Sequence, residues 1–490
     1  MPTAPETRLT EHVGVRDPLA SAGTDRHEPW RQGSHAIVVG GSIAGLLAAK
    51  VLLRYYTHVS IIDRDVLPDM PVTRRGAPQA NHNHVLLLRG REVMERLFPG
   101  LQDAVVQDGG LLVDMARELA WLTPWGWGAR FESPLVMLAC SRALLEWRLR
   151  VMLAASSAVS FTTGTAVEGL VVERDRARGI QTSTGTLTAD LIVDASGRGS
   201  RAMRWLEKAG FAPPRETVVN AFLGYASRMY RPAPDAARWW KGLYIQAAPP
   251  DHPRVGVILP VEGGLWHVTM GGGDRNHPPS DEAGFVEFAR TLRSMALYDA
   301  IRTAEPASPI YATRATENRR RHFDAVRMPE GFVVTGDAAC AFNPVYGQGM
   351  TTAALAAETL AASLEAIRRR TGLPHGAGFS RHFQRALAHA DRAPWMLAIG
   401  EDLRYRCTQG AEAGLSTRLM HRYMDAVGRL TTSDREVRLR LLGAFHMIAG
   451  PESLFAPPML WRVVAASGRR LIDRRGAAAP STLEPFTDRL

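Results

Sequence analysis

Apolar positions near the start of the chain predict a β-α-β unit. An apolar run at residues 35–40 predicts a buried strand, and a glycine turn follows it. Residues 43–56 carry apolar residues at helical spacing, and residues 58–63 form a second apolar run. Strand, turn, helix and strand in this order are typical of doubly wound α/β folds, whose parallel strands are buried on both faces.

Two later apolar runs predict further strands of the same sheet. Residues 189–200 pass directly into a helical segment, and residues 331–339 lead to a long Ala-rich helical segment. Between them, residues 211–310 alternate apolar and polar positions, as half-buried strands do, and Glu262-Gly263-Gly264 is a hairpin signal. The middle of the chain therefore predicts a β-sheet inserted between two parts of a nucleotide-binding fold.

At 490 residues the chain is longer than one hydrophobic core usually organises. We predict an α/β fold with a Rossmann-like binding domain, an inserted β-sheet substrate domain and a C-terminal helical region. The predicted segments are a flexible leader (1–33), the binding domain (34–210 and 311–375), the β-rich substrate domain (211–310) and the helical region (376–490).

The charge pattern argues against a nucleic-acid partner. The net charge is +10, but only Lys50, Lys208 and Lys241 are lysines, and the arginines are scattered along the chain. A nucleic-acid groove would cluster its cations and interleave them with aromatic residues.

The hydrophobic segments predict a cytoplasmic protein without stable membrane insertion. No apolar run is long enough to span a bilayer, and the leader lacks the apolar centre of a secretory signal. Residues 416–430 and 437–450 are amphipathic and basic, and such helices ordinarily pack on a core. We expect them to pack against the predicted binding domain, with a membrane-surface or partner-binding role as the alternative.

The cysteines and histidines indicate no metal site. Cys140, Cys340 and Cys407 lie far apart and are expected to be free thiols. His82 and His84 lie on the loop after the second strand, where we expect them to hydrogen-bond the backbone; a catalytic acid is the alternative. No catalytic dyad or triad is evident, so no catalytic residue is assigned.

The glycine turn predicts a dinucleotide site. Glycine allows close approach of a pyrophosphate, and the helix start supplies backbone amides and a positive dipole. A carboxylate at the end of the second strand can accept hydrogen bonds from ribose hydroxyls. The candidate residues are Gly40, Gly41, Ser42, Ile43, Ala44, Gly45 and Asp63, with Arg64 and Arg75 on the loop that follows. Ser42 departs from the usual pattern, which has glycine there.

A second motif lies almost three hundred residues later, at Gly336-Asp337 and Pro344–Met350. Here the chain resembles the FAD-dependent monooxygenases of the para-hydroxybenzoate hydroxylase class, which have a Rossmann-like (GR2-type) FAD-binding domain. The resemblance implies that Asp337 bonds the ribityl chain and that Pro344, Gly347, Gly349 and Met350 face the flavin.

The same resemblance assigns two further FAD contacts and bears on the reductant. It implies that Arg142 contacts phosphate or ribityl oxygens and that the Val167 backbone meets adenine. Asp194-Ala195-Ser196 corresponds to the segment that helps to engage both FAD and NADPH, but Ser196 replaces an aspartate. Two routes of flavin reduction therefore remain open. NADPH or NADH binds this chain directly, or a separate flavin reductase uses it to supply the electrons.

Residues 74–87, 314–324 and 336–350 resemble actinobacterial flavin epoxidases of polyether biosynthesis. This similarity implies epoxidation or hydroxylation of a lipophilic polyketide or terpenoid in antibiotic biosynthesis, by O2 through a flavin C4a-hydroperoxide. Similar strings occur in the flavin-fold cyclases of spirotetramate pathways, so a non-redox cycloaddition is the alternative.

Trp125-Gly126-Trp127-Gly128 resembles the start of a flavin-halogenase signature. The likeness ends at Ala129-Arg130, and the lysine of that class is absent. We expect Trp125 and Trp127 to pack in the core or to line a pocket, with equal weight. The aromatic residues of the substrate domain are candidates for an apolar pocket, namely Phe222, Tyr225, Tyr230, Trp239, Trp240, Tyr244 and Trp266.

Overall fold

The computed structural model describes residues 33–233 and 238–473, with side chains up to residue 466. The predicted leader lies outside the described residues except for Gly33, as does the end of the predicted helical region, residues 474–490. Within the described ranges, no helix is both long enough and apolar enough to cross a membrane.

The strands follow the order of the chain. They are β1 (Gly33–Val39), β2 (Tyr56–Ile62), β3 (Leu111–Asp114), β4 (Leu119–Thr123), β5 (Gly126–Trp127), β6 (Val136–Ala139), β7 (Val159–Thr162), β8 (Val167–Glu173), β9 (Arg176–Thr182), β10 (Gly185–Thr188), β11 (Leu191–Asp194), β12 (Glu216–Val219), β13 (Gly224–Arg231), β14 (Gly242–Ile245), β15 (Arg254–Val261), β16 (Leu265–Gly272), β17 (Glu305–Pro306), β18 (Tyr311–Thr313), β19 (Asn318–Arg321), β20 (Phe332–Val334) and β21 (Cys340–Ala341).

The α-helices connect and cover these strands. They are α1 (Ile43–Leu52), α2 (Leu88–Leu97), α3 (Leu101–Gln107), α4 (Arg142–Ala154), α5 (Ala202–Lys208), α6 (Glu282–Arg290), α7 (Ala296–Ile301), α8 (Gly349–Thr371), α9 (Phe379–Ala390), α10 (Arg392–Asp402), α11 (Leu415–Leu430), α12 (Arg435–Phe445) and α13 (Pro457–Asp473).

A five-stranded parallel sheet has the order β20-β11-β1-β2-β7. Val38 of β1 lies opposite Ile61 of β2 and Val193 of β11. All three side chains are fully buried, because both faces of a parallel sheet are covered. The sheet, with α1 between β1 and β2, confirms the predicted α/β class and the Rossmann-like unit.

A larger, mostly antiparallel sheet has the order β17-β13-β16-β15-β14-β4-β5, with β18 also beside β13. The hairpin predicted at Glu262-Gly263-Gly264 joins β15 to β16. The β4 strand pairs in parallel with β14, so that Leu119 lies opposite Gly242. The sheet thus includes a segment from before residue 211, which the predicted substrate domain (211–310) leaves out.

The C-terminal helices pack on both parts of the fold. The α9 helix packs on α8 and β20, and α11, α12 and α13 share a small core around Val427 and Val437. Leu442 of α12 joins a cluster with Leu119 of β4 and Leu259 of β15. The amphipathic segments therefore pack on other elements of the fold, but α12 lies against the large sheet, whereas the prediction placed these segments on the lobe that contains the parallel sheet.

Candidate functional site

A cleft, called the first cavity, lies at the carboxyl ends of β1, β2 and β11 and encloses about 1150 Å³ of space, part of it open to solvent. Gly40 and Asp63 line it just beyond β1 and β2, and Ser196 does so just beyond β11. Open α/β sheets bind their ligands at this edge, because the loops there diverge and helix starts point into the crevice.

Glycines shape the turn at the floor of the first cavity. Gly40 has a φ of +107°, which favours glycine, and its N–H donates to the Ile62 carbonyl at 2.8 Å. A Cβ at Gly45 would lie 1.8 Å from the Gly40 carbonyl oxygen, so a side chain there would displace the turn. The Asp63 carboxylate accepts the Gly41 N–H at 2.7 Å. Asp63 therefore holds the turn against the end of β2.

A charged cluster borders the turn where α1 meets α4. The Ser42 hydroxyl donates to Glu146 at 2.5 Å and accepts a hydrogen bond from Arg142 at 2.9 Å. Arg74 donates to the same Glu146 carboxylate at 3.0 Å and lies 3.6 Å from Asp63. Buried Glu146 thus orients Ser42 and Arg74 toward the first cavity.

A second cavity lies between the large sheet and the C-terminal helices and encloses about 1770 Å³ of space, part of it open to solvent. Most of its wall is apolar, and its apolar and aromatic lining includes Trp121, Trp125, Tyr244, Leu442, Phe445 and Leu454. Such a wall suits a lipophilic small molecule.

One short segment separates the two cavities. Val345, Tyr346 and Gln348 line the second cavity, whereas the next residues along the chain, Gly349 and Met350, line the first. Ligands in the two cavities would therefore contact neighbouring residues of this segment.

Buried Asp402, at the end of α10, fixes this separating segment. Its carboxylate accepts hydrogen bonds from the Tyr346 hydroxyl at 2.5 Å and from the side-chain amides of Asn318 at 2.7 Å and Asn343 at 3.2 Å. Burial raises the pKa of Asp402 to about 7, because the charged carboxylate loses its hydration. No local sequence pattern indicates this network, because its members come from distant segments of the chain.

Comparisons with known proteins identify the family. Residues 84–363, more than half of the chain, match the family described as FAD dependent oxidoreductase. Protein Rv3254 of Mycobacterium tuberculosis is 32% identical over 389 residues, which cover 75% of this chain and 80% of that protein.

The chain belongs to the FAD dependent oxidoreductase family.

Solved structures share this flavoenzyme's fold at low sequence identity. The flavin-dependent brominase Bmp2 is 14% identical with a TM-score of 0.63, over 89% of this chain and 100% of that one. PqsL of Pseudomonas aeruginosa is 15% identical with a TM-score of 0.54, over 84% and 99%. The Diels-Alderase PyrE3 is 17% identical with a TM-score of 0.55, over 85% and 81%. These likenesses confirm the predicted FAD-binding fold.

The chemistry of the first cavity fits the family's cofactor, FAD. Arg142 lines the cavity; its Nε lies 3.8 Å from Glu146 but makes no hydrogen bond among the described residues, which leaves a donor for phosphate or ribityl oxygens. Apart from the adjoining backbone, no atom of the described residues lies within 4 Å of a Cβ built at Gly199 or Gly349, so both leave open space on the cavity wall. Asp337 also lines the cavity, where burial raises its pKa.

The first cavity brings most of the predicted cofactor residues together. Those that line it are Gly40, Ser42, Ile43, Ala44, Asp63, Arg64, Arg142, Val167, Asp337, Gly349 and Met350. The predicted residues that do not line it are Gly41, Gly45, Arg75, Gly336, Pro344 and Gly347. Of these six residues, the four glycines build the turns that follow β1, β20 and β21. Arg74, not Arg75, faces the cavity, since the Glu146 carboxylate draws Arg74 inward.

Sequence reasoning missed several residues that line the first cavity, including Gln79, Arg201 and Trp205. Gln79 lies on the loop after β2, between Arg75 and His82, which is the one signal that could have found it. Arg201 and Trp205 follow the Ser196 segment at the start of α5.

The histidines of the loop after β2 bond within the protein. His82 is buried against Ser227, 2.8 Å from its hydroxyl, and burial lowers the pKa of His82 to about 4. The His84 ring bonds the His82 carbonyl at 2.8 Å and lies 3.3 Å from Arg142. His82 is thus neutral near pH 7, which does not suit a proton donor. His84 bonds the backbone as expected, whereas His82 bonds a side-chain hydroxyl instead.

The candidate aromatic residues divide between cavity wall and core. Trp125 lines the second cavity, and Trp127 packs on the core of the large sheet. Of the substrate-domain aromatics, Tyr244 lines that cavity, while Tyr230 is a buried core residue and Trp239, Trp240 and Trp266 pack against the same core. The rest of the wall includes residues of β4, β15, the segments 246–249 and 345–348, and the C-terminal helices. The sequence patterns did not place β4 or the C-terminal helices at a pocket.

Proposed function

We propose that this flavoenzyme is a monooxygenase that inserts one oxygen atom of O2 into a lipophilic small molecule, by epoxidation or hydroxylation. The observation that carries the proposal is the segment 345–350, whose residues line both cavities in turn. An apolar substrate in the second cavity would lie against the same segment as the cofactor. A polyketide or terpenoid chain suits the large apolar wall, in line with the resemblance to polyether epoxidases.

The residues of the first cavity would hold FAD. Arg142 would donate to its phosphate or ribityl oxygens, and Asp337 would accept from ribityl hydroxyls. The start of α1 beyond Gly40 offers free backbone amides to the pyrophosphate. When bound and reduced, FAD supplies the activation of O2 that oxygen transfer requires.

The protein's own contribution would be positioning and exclusion of water. Trp121, Tyr244 and Phe445 make an apolar wall that keeps water from the reacting atoms. Asp402 would hold Tyr346 in place, and with it the segment on which both ligands lie.

For reduction, we propose NADPH or NADH acting through a separate flavin reductase. Ser196 lines the first cavity where the aromatic hydroxylases have an aspartate. Absorbance at the flavin band, after addition of NADPH or NADH with and without a general flavin reductase, tests this. Rapid bleaching by the nicotinamide alone would favour direct binding instead.

The decisive experiment compares conversion of lipophilic alkenes with and without O2 by the reduced protein. The expected product carries one labelled oxygen when isotopically labelled O2 is supplied, and no product forms anaerobically. Conversion without O2 or reductant would instead favour a non-redox cycloaddition. The fold neighbour PyrE3 is named a Diels-Alderase.

A further inference from the structure

Arg438 of α12 is a buried arginine that lines the apolar second cavity. Arg438 is 3% exposed, and among the described residues its Nε has no hydrogen-bond partner. In the described part of the chain, no carboxylate lies within ion-pair distance of its guanidinium. Burial lowers the pKa of Arg438 to about 10, so the side chain stays charged near neutral pH.

The acidic groups of the region are engaged elsewhere. Glu401 and Asp425 also line the cavity, but both pair with Arg404, at 3.2 and 2.9 Å. Asp114, whose charge acts on Arg438, accepts hydrogen bonds from the N–H and hydroxyl of Ser133 at 2.7 and 2.6 Å. The positive charge of Arg438 is therefore left without a bonded partner.

The chain makes room for this guanidinium. A Cβ built at Gly128 would lie 1.0 Å from Nη1 of Arg438 and 2.3 Å from its Cζ. Glycine at position 128 thus allows a large charged group to lie inside the protein. A buried charge without a partner destabilises the folded protein, which argues that a ligand supplies the missing partner.

We propose that Arg438 binds an anionic oxygen group, a carboxylate or an acidic enol, on an otherwise apolar ligand in the second cavity. That this ligand is the enzyme's substrate rests on the proposed function. A guanidinium donates two parallel hydrogen bonds to a carboxylate, and the low-polarity wall strengthens this contact. The apolar part of the ligand would then lie along Trp121, Tyr244 and Phe445.

The test is a calorimetric titration of the FAD-loaded full chain with dodecanoate and with dodecanol, which has the same chain length but no charge. We expect dodecanoate to bind at least about tenfold more tightly, from its charge-assisted hydrogen bonds. In Arg438→Gln this preference disappears, and in Arg438→Lys part of it remains. Equal affinity of the wild type for the two ligands would overturn the proposal, and this comparison needs no variant to fold.

Arg440→Gln is the matched control. Arg440 lies on the same helix and pairs with Glu436 at 2.7 Å, and it does not line the cavity. Its loss removes the same charge and should leave the preference for dodecanoate unchanged. A preference that survives in folded Arg438→Gln, or is lost in Arg440→Gln, contradicts a site at Arg438.

A thermal readout separates ligand binding from a structural role. Without ligand, Arg438→Met should unfold at a higher temperature than the wild type, because it removes an unpaired buried charge. A lower unfolding temperature would show that Arg438 stabilises the fold and would count against the proposal. The titrations need neither O2 nor reductant, so failure of oxygen transfer alone would overturn the proposed function and leave this site intact.

Discussion

The hydroxyl of Ser42 donates a hydrogen bond of 2.5 Å to the carboxylate of Glu146. Ser42 occupies the N-cap of α1, yet its side chain makes no capping hydrogen bond. The first amides of α1 are therefore left free for an anion. The serine that interrupts the glycine pattern thus links the turn to α4 without blocking the start of the helix.

Ser42→Ala should weaken FAD binding. The change removes the donor to buried Glu146 and the acceptor of the hydrogen bond from Arg142, which lines the cavity. We expect the dissociation constant of FAD to rise roughly tenfold, because the change removes a hydrogen bond to a charged group. Titration of the FAD-free protein, followed by flavin fluorescence, measures it.

Ser160→Ala is the control for this prediction. Ser160 lies on β7 of the same sheet, bonds His58 and Ser60, and does not line the first cavity. It should leave FAD affinity unchanged. An unchanged FAD affinity in Ser42→Ala would show that the contact with Glu146 does not support the site.

Gly45→Ala should abolish FAD retention and lower stability. The added methyl would lie 1.8 Å from the Gly40 carbonyl oxygen, so the turn must move. Overpacking of this kind costs about 3 kcal/mol. Thermal unfolding and the flavin absorbance of the purified protein report the two effects.

Gly169→Ala is the comparison for Gly45→Ala. Gly169 lies on β8, and no atom of the part of the chain that the structure describes, its chain neighbours aside, lies within 4 Å of a Cβ built there. This variant should keep both FAD and the unfolding temperature. If Gly45→Ala behaves in the same way, the turn is not closely packed in solution.

The parts of the fold that the sequence predicted are those encoded by local patterns. Continuous apolar runs marked β1, β2 and β11, because strands buried on both faces need apolar residues at every position. The two glycine-containing motifs indicated the first cavity, because turns of this kind need particular residues at fixed spacing. Arg74 and Arg75 are neighbours on one loop, and only the position of Glu146 decides which of them faces inward.

The second cavity could not be predicted in the same way. Helical periodicity shows that α12 has a buried face, but not that this face meets β4, more than three hundred residues earlier. The parallel pairing of β4 with β14 likewise depends on contacts between distant segments. Asp402 and Arg438 gain their surroundings only from this tertiary packing, so no local pattern marks them.

Asp337→Ala should reduce FAD retention, with Asp337→Asn intermediate, because an amide keeps one acceptor oxygen for ribityl hydroxyls. We expect at least a tenfold rise in the dissociation constant of FAD for the alanine variant, on the scale of a lost charged hydrogen bond. Equilibrium dialysis against FAD measures it. Asp299→Ala, which removes an exposed carboxylate paired with Arg302, is the control and should bind FAD normally. Normal binding by Asp337→Ala would refute the assigned contact.

Asp402 should make stability depend on pH. Its pKa rises from 3.8 to about 7 on folding, so the folded protein binds the proton more tightly than the unfolded chain. This contribution to stability is fully present below about pH 3.8 and is lost as the pH rises toward 7. Relative to Asp402→Asn, which cannot titrate there, the wild-type free energy of unfolding should therefore fall by a few kcal/mol across this range.

Urea unfolding of both proteins at several pH values within this range measures the difference. Asp391 is a second buried carboxyl whose pKa burial raises to about 7, and it gives a slope of the same sign. Because Asp391 is present in both proteins, its slope cancels in the comparison. A difference that stays constant with pH, or that grows in favour of the wild type as the pH rises, would mean that Asp402 is already ionised in the folded protein. Tyr346 and the two asparagines would then be hydrogen-bonding a charged carboxylate.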